Sequence, residues 1–317
     1  MKILSQRSWI LPLLKAGVAA GLLAGLGYYL DPMRIWERLQ EMDSNALWAV
    51  LALGALGILV QWIKWYRLLV VFRPETTWGE GLNSLLLGFA LGLFSPGRLG
   101  ELGRGVLLGG KQATWVGLSA VDRLCSAAVS VLLAWLGLAV LYPAAALSAL
   151  GVVVLIAGGL GLVWVGIRRR LGQREGWRRV AEVVGQIPRP VWLQICLWSV
   201  VFNLVFFVQF YLLLASWGPL PAEALWGVPL FFGFKVLLPF SIMDIGVREA
   251  VAVLVFTPLQ LDSTVAFNAA FLQFMLNVLF PGVAGWVLLY GQVHRRLGDR
   301  RSLRGQSALS LETRRQI

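Results

Sequence analysis

Apolar runs separated by short charged segments occupy nearly the whole chain. The runs at about 9–30, 46–63, 118–142, 149–167, 191–217 and 266–293 approach or exceed the ~20 residues a helix needs to cross a bilayer. None shows the ~10-residue alternation of a transmembrane β-barrel strand. The pattern predicts an all-α polytopic membrane protein with about six full transmembrane helices. The first run is long, has no small-residue cleavage site before Asp31 and is followed by further spans. It therefore reads as a retained anchor and not as a signal peptide.

Two regions break the pattern. Residues 81–96 are short for a span and lead into FSPGRLGELGRGVLLGG (94–110), where Arg98, Glu101 and Arg104 sit among Pro96 and several glycines. Residues 224–258 contain KVLLPFSIMDIGVREAVAV (235–253). The charge pattern decides how both are threaded. Lys2 and Arg7 precede the first run, and Lys64, Arg67 and Arg73 follow the second. This places the N-terminus in the cytoplasm, the acidic segment 31–45 outside, and the chain from Lys64 back inside. If 81–96 crossed, the seven arginines between 168 and 190 would lie outside, against the positive-inside rule. A re-entrant hairpin over 81–110 from the cytoplasm, and a second over 224–258 from the outside, restore it. Pro96–Arg104 and Pro239–Arg248 lie about 143 residues apart in matching positions, as in an inverted-topology repeat. The expected organisation is a first repeat at 1–148, a second at 149–293 and a basic cytoplasmic tail at 294–317.

Composition sharpens this picture. Of the 317 residues 58% are hydrophobic and only 14% charged, against the ~25% of a soluble domain. The net charge of +12 sits in loops and tail, where the positive-inside rule explains it without nucleic acid. Two cysteines within apolar runs imply no disulfide or metal framework, and His294 reads as an interfacial residue. GRLGELGRG is not a Walker loop and follows no strand, so no nucleotide site or other cofactor is expected.

The intramembrane charges carry the candidate chemistry. Irregular backbone survives at membrane depth only where protein or a wet cavity satisfies it. Ser95-Pro96 resembles a helix start, and Ser241 with Asp244 fits a capping box. The expected hairpin turns are Pro96, Gly97, Gly100, Pro239, Ser241 and Gly246. The candidate substrate-binding residues are Arg98, Glu101, Arg104, Asp122, Arg123, Arg248 and Glu249. Arginines suit a phosphate; the carboxylates would balance them. Arg104 and Arg248 are the expected phosphate contacts, because each half supplies one. Lys235 reads as an interfacial residue. The competing reading makes all these charges closed ion pairs that pin the hairpins, since Arg98, Glu101 and Arg104 are spaced i, i+3. A general-base role for Glu101 or Asp244 on a lipid hydroxyl is the enzymatic alternative.

SPGRLGELGRGVLL (95–108), VDRL (121–124) and LPFSIMDIGVREA (238–250), in this order, resemble the motifs of the lysylphosphatidylglycerol synthase transmembrane-region family. Its Pro-Gly-x-x-Gly-Glu matches Pro96, Gly97, Gly100 and Glu101; its Asp-Arg matches Asp122 and Arg123; its Gly-Val-Arg-Glu matches Gly246–Glu249. Met243-Asp244 stands where relatives often carry a small polar residue and Gly. The resemblance implies a cytoplasmic-membrane protein that moves a lipid between leaflets. The chain ends about 24 residues after its last span, so a soluble aminoacyltransferase domain, and with it lysyl transfer, is not expected. The expected function is a non-enzymatic flippase or scramblase-like transporter of an anionic or phosphate-bearing lipid, with a lipid- or glycan-synthesis enzyme as partner. A membrane-embedded enzyme or an accessory subunit acting on lipid-linked substrates is the alternative.

Overall fold

The computed structural model describes residues 30–93, 95, 98–110, 112–148, 182–237 and 246–291, together with Gly21, Gly25 and Tyr28. Most of the expected span 9–30, all of 149–167, Pro96, Gly97, Pro239, Ser241, Asp244 and the tail lie outside the described residues. The described secondary structure is helical: α1 Pro32–Gln40, α2 Ser44–Phe72, α3 Trp78–Leu93, a 3-10 helix Leu99–Leu108, α4 Gln112–Leu141, α5 Arg189–Ala215, α6 Ala224–Leu237, α7 Val247–Phe256 and α8 Ser263–Gly291.

Local chemistry fixes the helix starts. The Asp31, Asp43 and Asp262 carboxylates accept from the N–H groups of Met33, Asn45 and Thr264 at the heads of α1, α2 and α8. At α3 the Glu80 carboxylate accepts from the Thr77 N–H at 2.9 Å while the Thr77 hydroxyl accepts from the Glu80 N–H at 3.2 Å, a reciprocal capping box. In the same turn, its own backbone N–H and the neighbouring Arg73 hold the Glu75 carboxyl below the usual carboxylate range.

Among the described residues α2, α4, α5 and α8 are long and apolar enough to cross a membrane. They coincide with four of the expected spans, so the chain is a multi-pass helical membrane protein. Their faces away from the bundle carry exposed Leu132, Leu136, Leu197 and Leu204, as lipid contact requires. Two expectations are corrected. The segment 31–45 is not all loop, because the Asp31 cap and Pro32 start α1. Lys64 does not mark a return to solvent: α2 continues to Phe72 because Trp65, Leu68 and Leu69 keep its inner face buried.

α2 and α5 run antiparallel, joined by the Gln209 amide donating to the Val50 carbonyl (3.0 Å) at one level and by Lys64 to the Ser199 hydroxyl (3.4 Å) at another. Asp43 and Ser216 meet at one end of the bundle, where the Asp43 N–H donates to the Ser216 carbonyl. Arg73 marks the other end. Asp262, at the head of α8, pairs with Arg34 and Arg38 of α1 at the Asp43 end.

α3 and the 3-10 helix form a hairpin. The Ser84 hydroxyl donates to the Arg104 carbonyl at 2.8 Å, while Arg73 donates to the Leu108 carbonyl at 2.8 Å. Both arms therefore open toward the Arg73 end. Sixteen residues of α3 rise only about 24 Å, short of the ~30 Å hydrocarbon core. α6 and α7 form a second hairpin in the opposite sense. Gly227 of α6 packs on Phe256 and Leu259 at the Asp43 end, and Gly233 meets Ala134 of α4 deeper in the bundle. The core beside it is aromatic, with Phe210 and Phe231 stacked at 4.4 Å and Phe256 against both. In lipid such contacts act through dispersion and close packing.

Candidate functional site

The site begins with glycines on α3. A Cβ on Gly88 would lie 2.4 Å from the Arg104 Cγ, and one on Gly92 would lie 2.9 Å from the Glu101 Cγ. Their absence lets the 3-10 helix lie against α3. A 3-10 helix has three residues per turn, so side chains at i and i+3 eclipse. Arg98, Glu101 and Arg104 therefore stand in one column. Arg98 begins it in the left-handed backbone region (φ 56°), a strain of about 1–2 kcal/mol for a residue with a Cβ. The helix starts three residues later than the Ser-Pro pair predicts, with Arg98 as its N-cap, and the Ser95 hydroxyl accepts from the Gly100 N–H at 2.6 Å from outside that cap position.

The column continues as a chain of alternating charge. The Glu101 carboxylate receives Arg98, Arg104 (3.1 Å) and Arg123 (3.2 Å). Arg104 reaches onward to Asp122 of α4 at 2.7 Å, and Asp122 receives Lys64 of α2 at 2.9 Å. Lys64 also donates to the Ser126 hydroxyl at 2.6 Å. Lys64, Glu101, Arg104 and Asp122 are all buried. The outer cations differ: the side chains of Arg98 and Arg123 are 17% and 31% exposed. They open on a cavity of about 300 Å³, which α6 closes from the other hairpin with Phe232, Lys235 and Val236. The inner parts of both hairpins thus meet at one cavity.

Five predicted site residues, Arg98, Glu101, Arg104, Asp122 and Arg123, are brought together here. Arg248 and Glu249 are not among the lining residues. Arg248 is buried with its guanidinium 4.7 Å from the centre of the Phe274 ring. Glu249 accepts from the Gly246 N–H at 2.7 Å at the start of α7, so it has a structural task. Lys235, expected at an interface, lines the cavity. Sequence reasoning missed Lys64, Gln61 and the amides of Asn203 and Asn277. The signal for Lys64 was the apolar run that resumes after it, Leu68 to Phe72.

Lys64→Met should lower stability in detergent by about 3 kcal/mol, because half of the Asp122 charge compensation goes while the carboxylate stays buried. Adding Asp122→Asn to this variant should recover part of the loss in a thermal-shift assay. Equal melting of Lys64→Met and the parent would show that the pair is dispensable.

The sequence model of the family described as "Lysylphosphatidylglycerol synthase TM region" matches residues 13–285. No curated protein and no solved structure matches the chain. The match covers most of the chain, which therefore belongs to this family.

Proposed function

We propose that this member of the family is a flippase or scramblase-like transporter. It moves a phosphate-bearing lipid between the leaflets of the cytoplasmic membrane, and both termini face the cytoplasm. The observation that carries the reading is the cavity between the hairpins, cationic at Arg98 and Arg123 and flanked by helices whose outer faces are apolar. In this reading the two hairpins are re-entrant, and the matching halves form an inverted repeat. The phosphate rests on Arg98 and Arg123, the least buried arginines of the cluster. Arg104 braces Glu101 and Asp122 behind them and does not itself contact lipid. The acyl chains stay in the bilayer.

The test is purified protein in liposomes carrying labelled phospholipids of several headgroups. A transporter moves lipid across the bilayer without changing its mass. The Arg98→Ala/Arg123→Ala double variant should slow movement about tenfold or more through loss of charge-assisted contacts; because both arginines also face buried Glu101, it is compared with Glu101→Gln in the same background, which should regain melting temperature but not lipid movement. A change in lipid mass would replace this reading with an enzymatic one. Absence of movement for every headgroup would leave an accessory role.

A further inference from the structure

Two helix contacts outside the cavity match each other residue for residue. On α8, a Cβ built on Gly285 would lie 2.0 Å from the Leu86 carbonyl oxygen and 3.1 Å from the Ala90 Cβ of α3. One on Gly282 would lie 2.5 Å from the Leu93 Cδ1. On α4, a Cβ on Gly137 would lie 2.6 Å from the Trp226 carbonyl oxygen and 3.6 Å from the Leu230 nitrogen of α6. One turn earlier on α4, the Ala134 Cβ would lie 2.1 Å from a Cβ on Gly233. Adding 140 to 86, 90 and 93 gives 226, 230 and 233, while adding 148 to 134 and 137 gives 282 and 285. All three contacts of the α3–α8 seat therefore have a counterpart in the α6–α4 seat. The contact of α2 with α5 agrees with them. A Cβ on Gly57 would lie 2.6 Å from the Phe206 ring, and these two positions are 149 apart. There a residue meets its own counterpart, the reciprocity of a two-fold axis.

The seats cross between the halves. α3 runs through the 3-10 helix into α4, and α6 runs through α7 toward α8. Yet α3 rests on α8, and α6 rests on α4. Each hairpin is held by a span of the opposite half. Small residues let helices approach closely in lipid, and packed helices shift past one another by shear. Because both seats lie between the halves, displacing one half against the other slides both at once. The same step moves α6, with Phe232 and Val236, past Ala127 and Ser130 of α4, which line the same cavity.

We infer that the two seats are copies of one shear joint, that they slide together, and that this coupled slide opens the cavity to each leaflet in turn. The inference rests on the transport reading above.

The experiment uses the full chain in liposomes, with Cys125 and Cys196 replaced by alanine and one new cysteine pair per variant. Leu82→Cys/Leu289→Cys lies one turn beyond the Leu86–Gly285 contact, and Ala222→Cys/Leu141→Cys is its counterpart beyond Trp226–Gly137. All four positions are half-buried or exposed. A membrane-permeant bis-maleimide with a cleavable disulfide joins each pair. The probes are labelled phosphatidylglycerol, phosphatidylethanolamine and phosphatidic acid. Joining either pair should slow lipid movement about tenfold or more, because the conformational step is blocked. Reductive cleavage of the linker should restore it, which separates a stopped joint from a misfolded protein. Unslowed movement in the joined protein, slowing at one seat and not the other, or slowing that cleavage does not reverse would overturn the inference while the transport reading stands. No movement of any probe before joining would overturn both.

Discussion

Arg104→Met should yield little or no folded protein. The guanidinium is buried between two carboxylates, at 3.1 Å from Glu101 and 2.7 Å from Asp122. Methionine fills much of the volume but leaves two negative charges in a low-dielectric interior. Breaking one buried pair costs about 3–5 kcal/mol, and here two break together. A bundle of marginal stability does not absorb that loss. Arg104→Lys should fall between the two, because an ammonium is a point charge and cannot fork onto two acids. Detergent-solubilised variants compared by size-exclusion profile and melting temperature supply the check. Parent-like melting of Arg104→Met would mean that the alternating chain of charges does not hold the hairpin in place.

The second large effect is steric. A Cβ on Gly100 would fall 2.0 Å from the Leu91 carbonyl oxygen and 2.8 Å from the Ser95 hydroxyl oxygen. The first contact is with backbone, which cannot turn aside as a side chain can. Gly100→Ala must therefore separate the 3-10 helix from α3, and with it Glu101 from its three arginines. The expected loss is about 3 kcal/mol or more, the upper range of overpacking, together with lipid movement. Gly79→Ala is the matched control. Its Cβ would meet nothing within 4 Å, and alanine favours a helix. Lipid movement and melting unchanged in Gly100→Ala would refute the close packing of the hairpin.

Much of this arrangement was legible in the sequence, for identifiable reasons. The shortness of 81–96, together with the arginines that follow, marks it as a partial span and it becomes the 16-residue α3, and the i, i+3 spacing of Arg98, Glu101 and Arg104 places them on one side of a helix. What spacing cannot convey is depth. Arg104 and Arg98 look alike in sequence, yet one is enclosed by two acids and the other opens on the cavity. Lys64 reads as a topogenic charge because its partner, Asp122, is 58 positions away on another helix. The Glu249 side chain illustrates the reverse. Its carboxylate accepts from the Gly246 N–H three residues earlier, a contact that the sequence pattern, with glycine and not Ser or Thr at the helix start, does not announce. The Arg248 guanidinium, over Phe274, depends on a ring 26 positions on, a contact that no local pattern announces.

The pairs at the Asp43 end are of another kind. Arg34 is 59% exposed and Arg38 is 36% exposed where they hold Asp262, so dissolved ions reach them freely. At physiological ionic strength, attraction between exposed charges fades over about 8 Å, and concentrated salt shortens that reach further. The buried stretch from Lys64 through Asp122 and Arg104 to Glu101 is shielded from the same ions. The described residues therefore include an ionic lock at the Asp43 end that brine can loosen and a buried one, deeper in the bundle, that it cannot. A halotolerant and a freshwater cell would load the first differently and leave the second untouched.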